Sequence, residues 1–550
     1  MEKQSVTLVR DDQGIVRKST KYHPSVWGDY FIRNSPLNLS EESTQRMIER
    51  VEELKVQVKS MFKGTSDVLQ IMNLIDSIQL LRLEYHFENE IDGALRLIYE
   101  VDDKNYGLYE TSLRFRLLRQ HGYNVSADTF NKFKDENGSF ISILNGDAKG
   151  LLSLYNASYL ATHGETILDE ANNYTKSQLV SLLSELEQPL ATQVSLFLEA
   201  PLCRRMKSIL ARKYIPIYEK EAMRSDDILE LAKLDFNLLQ SLHQEELKKA
   251  SIWWNDLALA KSLSFTRDRI VEGYYWILSM CYEPQYSRAR VMCAKAFCLL
   301  SIMDDIYDNY SILEERRLLT EAIKRWNHEA VDSLPEYIKD FYLKLLKAFE
   351  EFEAELEFNE KYRVQYLQNE FKAIAISYFE ESKWCVERYV PSLDEHLRVS
   401  MITSGCSMVV CSMYLGMGEV ATKEIFDWCS SFPKAMEASG VIARLLNDIR
   451  SHETEQGRDH AASTVESYMK EHGVDVKVAR KKLQEIVEKA WKDLNKELLN
   501  PTPVARPIIE RILNLTMSME DIYRYIDEYT SPDNKTNGDV SLVLVESIPI

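Results

Sequence analysis

Glycine and proline are scarce, 18 and 14 of 550 residues, well under their average usage. With Leu, Glu, Lys and Ala recurring in most windows, that shortage of turn formers favours a mostly helical chain, long enough for about two to four domains. There is no run of 18 apolar residues, so nothing is built to span a membrane. The eight cysteines, Cys203, Cys281, Cys293, Cys298, Cys385, Cys406, Cys411 and Cys429, are scattered among mostly apolar neighbours with no C-x-x-C spacing. They read as reduced core residues, which excludes a disulfide frame or a zinc site. The ten histidines include no H-E-x-x-H. Positive charge is also short, 67 Lys and Arg against 86 Asp and Glu, a formal net charge of −19. Nucleic acid would meet net repulsion, and an anionic ligand would need local basic groups or metal ions. The opening residues MEKQSVTLVRDDQGIVRKS resemble neither a signal peptide nor a transit peptide, so the expected compartment is the cytosol. No obligatory protein partner is evident.

No strand-like alternation stands out, nor any internal repeat. The first 35 residues, with Pro24 among them and Pro36 just beyond, read as an extended segment. Helical spacing begins at SEESTQRMIERVEELKVQVKSMF, with Ser40 as the expected N-cap and Met47, Val51, Leu54 and Val58 on one face. A domain junction is expected at YEKEAMRSDDILELAKLDF, where Ser225 can cap a new helix and Asp226 and Asp227 suit its first turn. The stretch TSPDNKTNGD, Thr530 to Asp539, has the composition of a mobile surface loop.

The stretch SIMDDIYDNY places Asp304, Asp305 and Asp308 at the end of an apolar helix, AKAFCLLSIM. With about 100° per residue, Asp308 lies about 40° from Asp304 and Asp305 about 100° away. Ser301 and Phe297 share the acid side, while Leu299, Ile302, Met303 and Ile306 form an apolar back. A solvated helix face is one reading. The other is a cation held by Asp304 and Asp308 together with water, as Mg²⁺ prefers.

In VIARLLNDIRSHETEQGRDH, Val441, Ile442, Leu445, Leu446 and Ile449 form one face, and Arg444, Asn447, Ser451 and Glu455 the other. One reading is an ordinary amphipathic helix with a charged outer face; the other is that the i, i+4, i+8 order, which sets a short hydroxyl between two longer side chains, lets three oxygens converge on one ion. Such ligands suit Mg²⁺ or Mn²⁺ over zinc. Asp448 points about 100° from Asn447 and reads as structural.

The D-D-x-x-D pattern at Asp304 to Asp308, the N-D-x-x-S-x-x-x-E pattern at Asn447 to Glu455, and RDR at Arg267 to Arg269 together resemble the signatures of plant class I terpene synthases. HPSVWGDYF, LRFRLLRQHGY and YEPQYSRARVM extend the resemblance over nearly the whole chain. It implies an all-α protein: an N-terminal α-barrel-like domain, 1–225, whose segment 1–35 caps the active site, and a C-terminal class I catalytic domain, 226–550. It also implies three Mg²⁺, with Mn²⁺ a possible substitute: Asp304 and Asp308 would bind two, and Asn447, Ser451 and Glu455 the third, with Asp305 in support. The implied reaction is metal-assisted ionisation of a prenyl diphosphate, followed by cyclisation of the allylic cation in a dry apolar cavity. Arg267 and Arg444 would contact diphosphate, with Arg269 a third, because a guanidinium fork binds phosphate oxygens in pairs.

Trp276 matches the family's cavity tryptophan, and Phe297 and Ser301 should line the same space. Gly405 interrupts a helical pattern beside Thr403, Ser404 and Cys406, which the resemblance makes product-shaping positions. Asp527 and Tyr529 in YIDEYT resemble the acid and tyrosine that cap the cavity. Arg17 and Lys18 ahead of Trp27 match the family's tandem-arginine element with Lys in the second place, which favours the cytosolic branch and farnesyl diphosphate over the geranyl diphosphate of monoterpene synthases. EVDD, Glu100 to Asp103, is a near miss for a class II acid motif and reads as a surface turn. A chain-elongating prenyltransferase would carry a second aspartate-rich motif, absent here; a non-enzymatic helical scaffold would turn over no prenyl diphosphate.

Overall fold

In the computed structural model the described residues are 6–10, 16–20, 22, 24–34, 41–102, 104–259, 262–455, 461–532 and 534–550, with the backbone alone for some of them, Lys18 and Glu455 included. Nearly all regular structure is helical, so the all-α class holds. The chain divides into two compact units.

The unit bearing both acidic motifs comprises Met1–Ser35, Gln244–Ala490 and Val504–Val540. It opens with strands β1 (Val6–Arg10) and β2 (Val16–Thr20), paired antiparallel with Val6 opposite Thr20 and Arg10 opposite Val16. The extended reading therefore understated this segment: VTLVR and VRKST are rich in β-branched residues, and each satisfies the other's backbone.

The helices that follow include α1 (Ile270–Met280), α2 (Ser287–Asp305), α3 (Leu313–Arg325), α4 (Glu336–Glu355), α5 (Arg363–Glu387), α6 (Leu393–Thr403), α7 (Cys406–Leu415), α8 (Lys434–Glu455), α9 (Thr464–His472) and α10 (Arg506–Ile522). Their packing forms a closed circuit, in which α1 meets α2, α2 meets α7, α7 meets α5, α5 meets α6, α6 meets α8, α8 meets α10 and α10 returns to α1. Helix α1 is buried along its whole length, and so is α7. Such helices are mostly apolar because they have no solvent face, and the one charged residue of α1, Glu272, accepts a bond from Ser25.

The other unit comprises Pro36–His243, Trp491–Pro503 and Ser541–Ile550. Its helices include Glu41–Gly64, Val68–Leu80, Leu108–Gln120 and Ala148–Ser158, around a core with Leu54, Met72, Ile75, Phe87, Leu117 and Leu151. Val51, Leu54 and Val58 are buried and Met47 packs against the same core, as the helical spacing requires. The expected cap Ser40 lies outside the described residues. Asp102 of EVDD is exposed, and Asp103 lies outside the described residues.

Ser225 does cap the next helix, its Oγ accepting the Ile228 N–H at 3.4 Å. That helix runs from Asp226 to Leu257, and the division between compact units falls within it, after His243. The expected loop Thr530 to Asp539 needs correction: a helix spans Asn534–Leu544. Asn, Asp and Thr suit helix starts as well as turns, and this helix buries Val540, Val543 and Leu544.

Candidate active site

Helix α2 does not stop at its acidic end. After Asp305 the chain widens into a π-helical turn, Ile306–Tyr310, closed by the Ser311 N–H donating to the Ile306 carbonyl at 3.3 Å. Wider turns bring residues four apart closer to eclipse than an ideal α-helix does, so Asp308 is turned back toward Asp304. Arg316 fixes the end of the turn, its Nε donating to the Ser311 carbonyl at 3.0 Å and to its Oγ at 3.1 Å.

The three aspartates then take different environments. Asp305 is fully buried and accepts the Arg267 backbone N–H at 2.7 Å, Arg267 Nε at 3.2 Å and Asn309 Nδ2 at 3.0 Å. Burial pushes its carboxyl up, against the pull of Arg267. Asp304 is partly exposed and takes a bond from Arg267 Nη2, while Asp308 is exposed. Tyr378 on α5 faces this pair; burial first, then the charges of Asp304 and Asp308, push its phenol up.

Arg267 is 8 % exposed and lies between Tyr22 and Tyr529, each ring centroid 5.4 Å from its Cζ. Burial would lower its pKa, but Asp305, Tyr22 and Asp304 more than offset this and keep the guanidinium charged. Arg269, the third expected diphosphate contact, is bonded to backbone carbonyls. Its Nε donates to the Tyr529 carbonyl at 3.2 Å, Nη2 to the Thr530 carbonyl at 3.4 Å and Nη1 to the Asp268 carbonyl at 2.7 Å. These bonds turn its fork toward backbone.

On α8, Arg444 reaches Asp448 Oδ1 at 3.2 Å, Asn447 Oδ1 at 3.4 Å and Thr403 Oγ1 at 3.4 Å. Burial opposes its charge, but Asp448 and Glu381 raise its pKa. Asp448 is structural as expected, since its other oxygen accepts the Thr464 N–H at 2.8 Å at the start of α9. Ser451 is 7 % exposed, and its Oγ has no hydrogen-bond partner among the described residues. The Glu455 side chain lies outside them. Glu381 escaped the sequence reading: it accepts Thr403 Oγ1 at 2.8 Å, and burial, only partly countered by Arg444, pushes its carboxyl up to about 8.

No group of three or more His, Cys, Asp or Glu gathers as a metal cluster among the described residues. The donors that fit a hard cation are instead the Asp304 and Asp308 carboxylates and the Asn447 and Ser451 oxygens. The buried hydroxyl of Ser451, unsatisfied among the described residues, is the observation that favours this fit, because such a group is costly unless something binds it.

Below the acids lies an aromatic cluster. Trp276 is 5.4 Å from Phe297, 5.6 Å from Tyr529 and 6.0 Å from Tyr523 between ring centroids, and Phe297 is 5.4 Å from Tyr529. Trp276 Nε1 donates to Ser518 Oγ at 2.6 Å, and Tyr529 Oη to Ser301 Oγ at 2.8 Å. Asp527 Oδ1 accepts the N–H groups of Tyr529 at 3.2 Å and Thr530 at 3.1 Å, so it folds its own turn. Gly405 breaks the α6–α7 pattern as expected, with φ 74°. Ser404 Oγ is spent on the Met401 carbonyl at 2.6 Å, and Cys406 is buried.

The N-terminal segment reaches the same region. Arg17 forms a buried two-pronged pair with Glu315, at 2.6 and 2.7 Å, and stacks on Tyr310 and Tyr337 with Cζ 4.9 and 5.2 Å from the ring centroids. Tyr22 accepts a bond from Asn309 Nδ2, and Ser25 Oγ donates to Glu272 at 3.3 Å. Lone aromatic and hydroxyl residues such as Tyr22 and Ser25 carry no spacing signal, so the sequence reading missed them.

Comparison with known proteins matches residues 255–493 to the metal binding domain of the terpene synthase family, and residues 26–198 to the terpene synthase N-terminal domain. The chain is 74% identical over 548 residues to a beta-eudesmol synthase of Zingiber zerumbet, covering 100% of this chain and 99% of the relative. It is 70% identical over 550 residues to a (+)-germacrene D synthase of Zingiber officinale, covering 100% of both. Among solved structures it resembles the isoprene synthase of grey poplar leaves, in complex with three Mg²⁺ ions and dimethylallyl-S-thiolodiphosphate, with TM-score 0.85 and 33% identity over 92% of this chain and 97% of that one.

Proposed function

The chain belongs to the terpene synthase family and is a metal-dependent sesquiterpene synthase, and from that premise we propose which side chains ionise farnesyl diphosphate and fold the resulting cation. Asp304 and Asp308 on one side, and Asn447, Ser451 and Glu455 on the other, are the oxygen ligands we assign to three Mg²⁺, for which Mn²⁺ could substitute. The count is supported by the three ions in the isoprene synthase structure. Bound divalent cations supply stabilisation of the negative charge that grows on the departing diphosphate.

Arg267 and Arg444 are assigned to diphosphate binding. Each sits beside one ligand group and is held charged by buried carboxylates. Asp305 orients Arg267 through its backbone and side chain. Arg269 serves the site indirectly in this reading, by clamping the backbone that carries Tyr529.

The faces of Trp276, Phe297 and Tyr529 stabilise the allylic cation once diphosphate has left. Ser301 fixes the Tyr529 phenol, and burial keeps that phenol protonated. Thr403, Ser404, Gly405 and Cys406 shape the wall at the α6–α7 break, and Asp527 with Tyr529 closes the opposite end. Segment 1–35 completes the enclosure through Arg17, Tyr22 and Ser25, which would exclude water from the cation.

The observation that carries the assignment is the buried Ser451 hydroxyl, one turn beyond Asn447, that no described group satisfies. Its test is the Mg²⁺ dependence of turnover with farnesyl diphosphate. Ser451→Ala should raise the Mg²⁺ concentration for half-maximal rate about tenfold or more, and Asp304→Ala should cut the rate about 10³-fold with folding intact. An unchanged Mg²⁺ requirement in Ser451→Ala would remove it from the ligand set.

A further inference from the structure

We propose that Gly273 is a positioning residue for product selection, acting through the ring of Phe297; the inference rests on the reading of Phe297 as part of the wall that faces the cation. Gly273 lies in the second turn of α1, a helix buried at every position. A glycine inside a helix gives up stability relative to alanine, so it needs a reason, either a left-handed backbone or a close approach by a neighbour. Gly273 is not among the residues with positive φ. Close approach remains, and the neighbour is specific: a Cβ at this position would stand 3.0 Å from Phe297 Cδ1 and 3.2 Å from Cε1. Carbon atoms in good contact sit about 3.5–4.0 Å apart. The Phe297 ring therefore occupies space that an alanine methyl would claim.

The aromatic cluster determines where that pressure goes. Trp276, one turn further along α1, is pinned by its hydrogen bond to Ser518, and Tyr529 by its bond to Ser301. Phe297 touches both rings, with centroids 5.4 Å away in each case, and has no polar handle of its own. It is the member free to yield. A methyl at 273 would push the ring by a few tenths of an ångström relative to two fixed partners. Cation stabilisation by a ring face depends on position over that face, so such a shift changes which of several competing cyclisations is favoured. It leaves the oxygen ligands of α2 and α8 in place.

The test is a two-position cycle at Gly273 and Phe297, read as the distribution of volatile products from farnesyl diphosphate with Mg²⁺. Gly273→Ala should change the ratio of products about fivefold or more, while KM for farnesyl diphosphate stays within about twofold; in a Phe297→Leu background the same substitution should change the ratio by less than about 1.5-fold. An unchanged distribution in Gly273→Ala, or an equal shift in both backgrounds, would overturn the proposal. If Gly273→Ala does not fold, the double variant must recover a native melting transition and Phe297→Leu alone must alter the distribution; failure of either also overturns it. Failure of the underlying functional reading would look different, since the unsubstituted protein would then form no terpene at all.

Discussion

Glu381 shows how one half-buried acid can matter to both stability and site. Its carboxyl, ordinarily titrating near 4.5, is raised to about 8 by burial, with Arg444 only partly opposing this. A raised acid favours the neutral form in the folded chain. Its contribution is therefore fully present below 4.5, is lost as the pH climbs through the window to about 8, and changes no further above it. The metal-free protein should lose stability across that window by up to about 1.4 kcal/mol per pH unit from this group. Glu381→Gln should flatten the slope in urea unfolding at a series of pH values; an unaltered slope would mean that Glu381 ionises normally. Nothing in the sequence marks Glu381, because it is one of four glutamates on α5 and belongs to no motif. The ligand set proposed above, Asp304, Asp308, Asn447 and Ser451, rests on a sequence signal, because a metal site on helices needs oxygen ligands at turn spacing, and spacing survives in sequence. Arg269 was only half legible: its place beside Arg267 could be read, but not the carbonyls of Tyr529 and Thr530 that claim its fork.

Two departures from ideal helices build the site, and both are element-scale features. The π-helical turn Ile306–Tyr310 re-aims Asp308, and strand β2 packs against it with Arg17 paired to Glu315 and stacked on Tyr310. No regular wheel drawn from the sequence can anticipate a change in the number of residues per turn. The break at Gly405 could be anticipated, because a glycine flanked by hydroxyl residues inside an apolar helix signals an interruption. The structure adds its cost to alter: φ is 74°, and a Cβ would stand 2.7 Å from Leu300 Cδ2. Gly405→Ala should therefore destabilise the protein by about 2 kcal/mol or more, from the left-handed penalty together with overpacking. Urea unfolding measures it directly; a loss within about 0.5 kcal/mol would show that the break relaxes freely. The helix at Asn534–Leu544 was misread as a loop because the same polar residues serve turns and helix starts, and only burial of Val540, Val543 and Leu544 separates the two.

For the whole molecule, a formal charge of −19 makes an anionic substrate an unlikely guest except where positive charge is concentrated. The unit with the two acidic motifs concentrates it, with Arg267 and Arg444 held charged beside carboxylates that can exchange their partners for cations. Helical class and the metal binding domain could be read from glycine scarcity and motif spacing, while the pairing of β1 with β2 could not, since five-residue strands give too few alternations to register. The central claim is that this chain converts farnesyl diphosphate to sesquiterpene. The most direct measurement is gas chromatography with mass spectrometry of the volatile fraction after incubation with geranyl, farnesyl or geranylgeranyl diphosphate, with and without Mg²⁺. The account predicts C15 volatiles from farnesyl diphosphate that disappear when the metal is chelated. Product formed without metal, a longer diphosphate, or no volatile product from any of the three would contradict it.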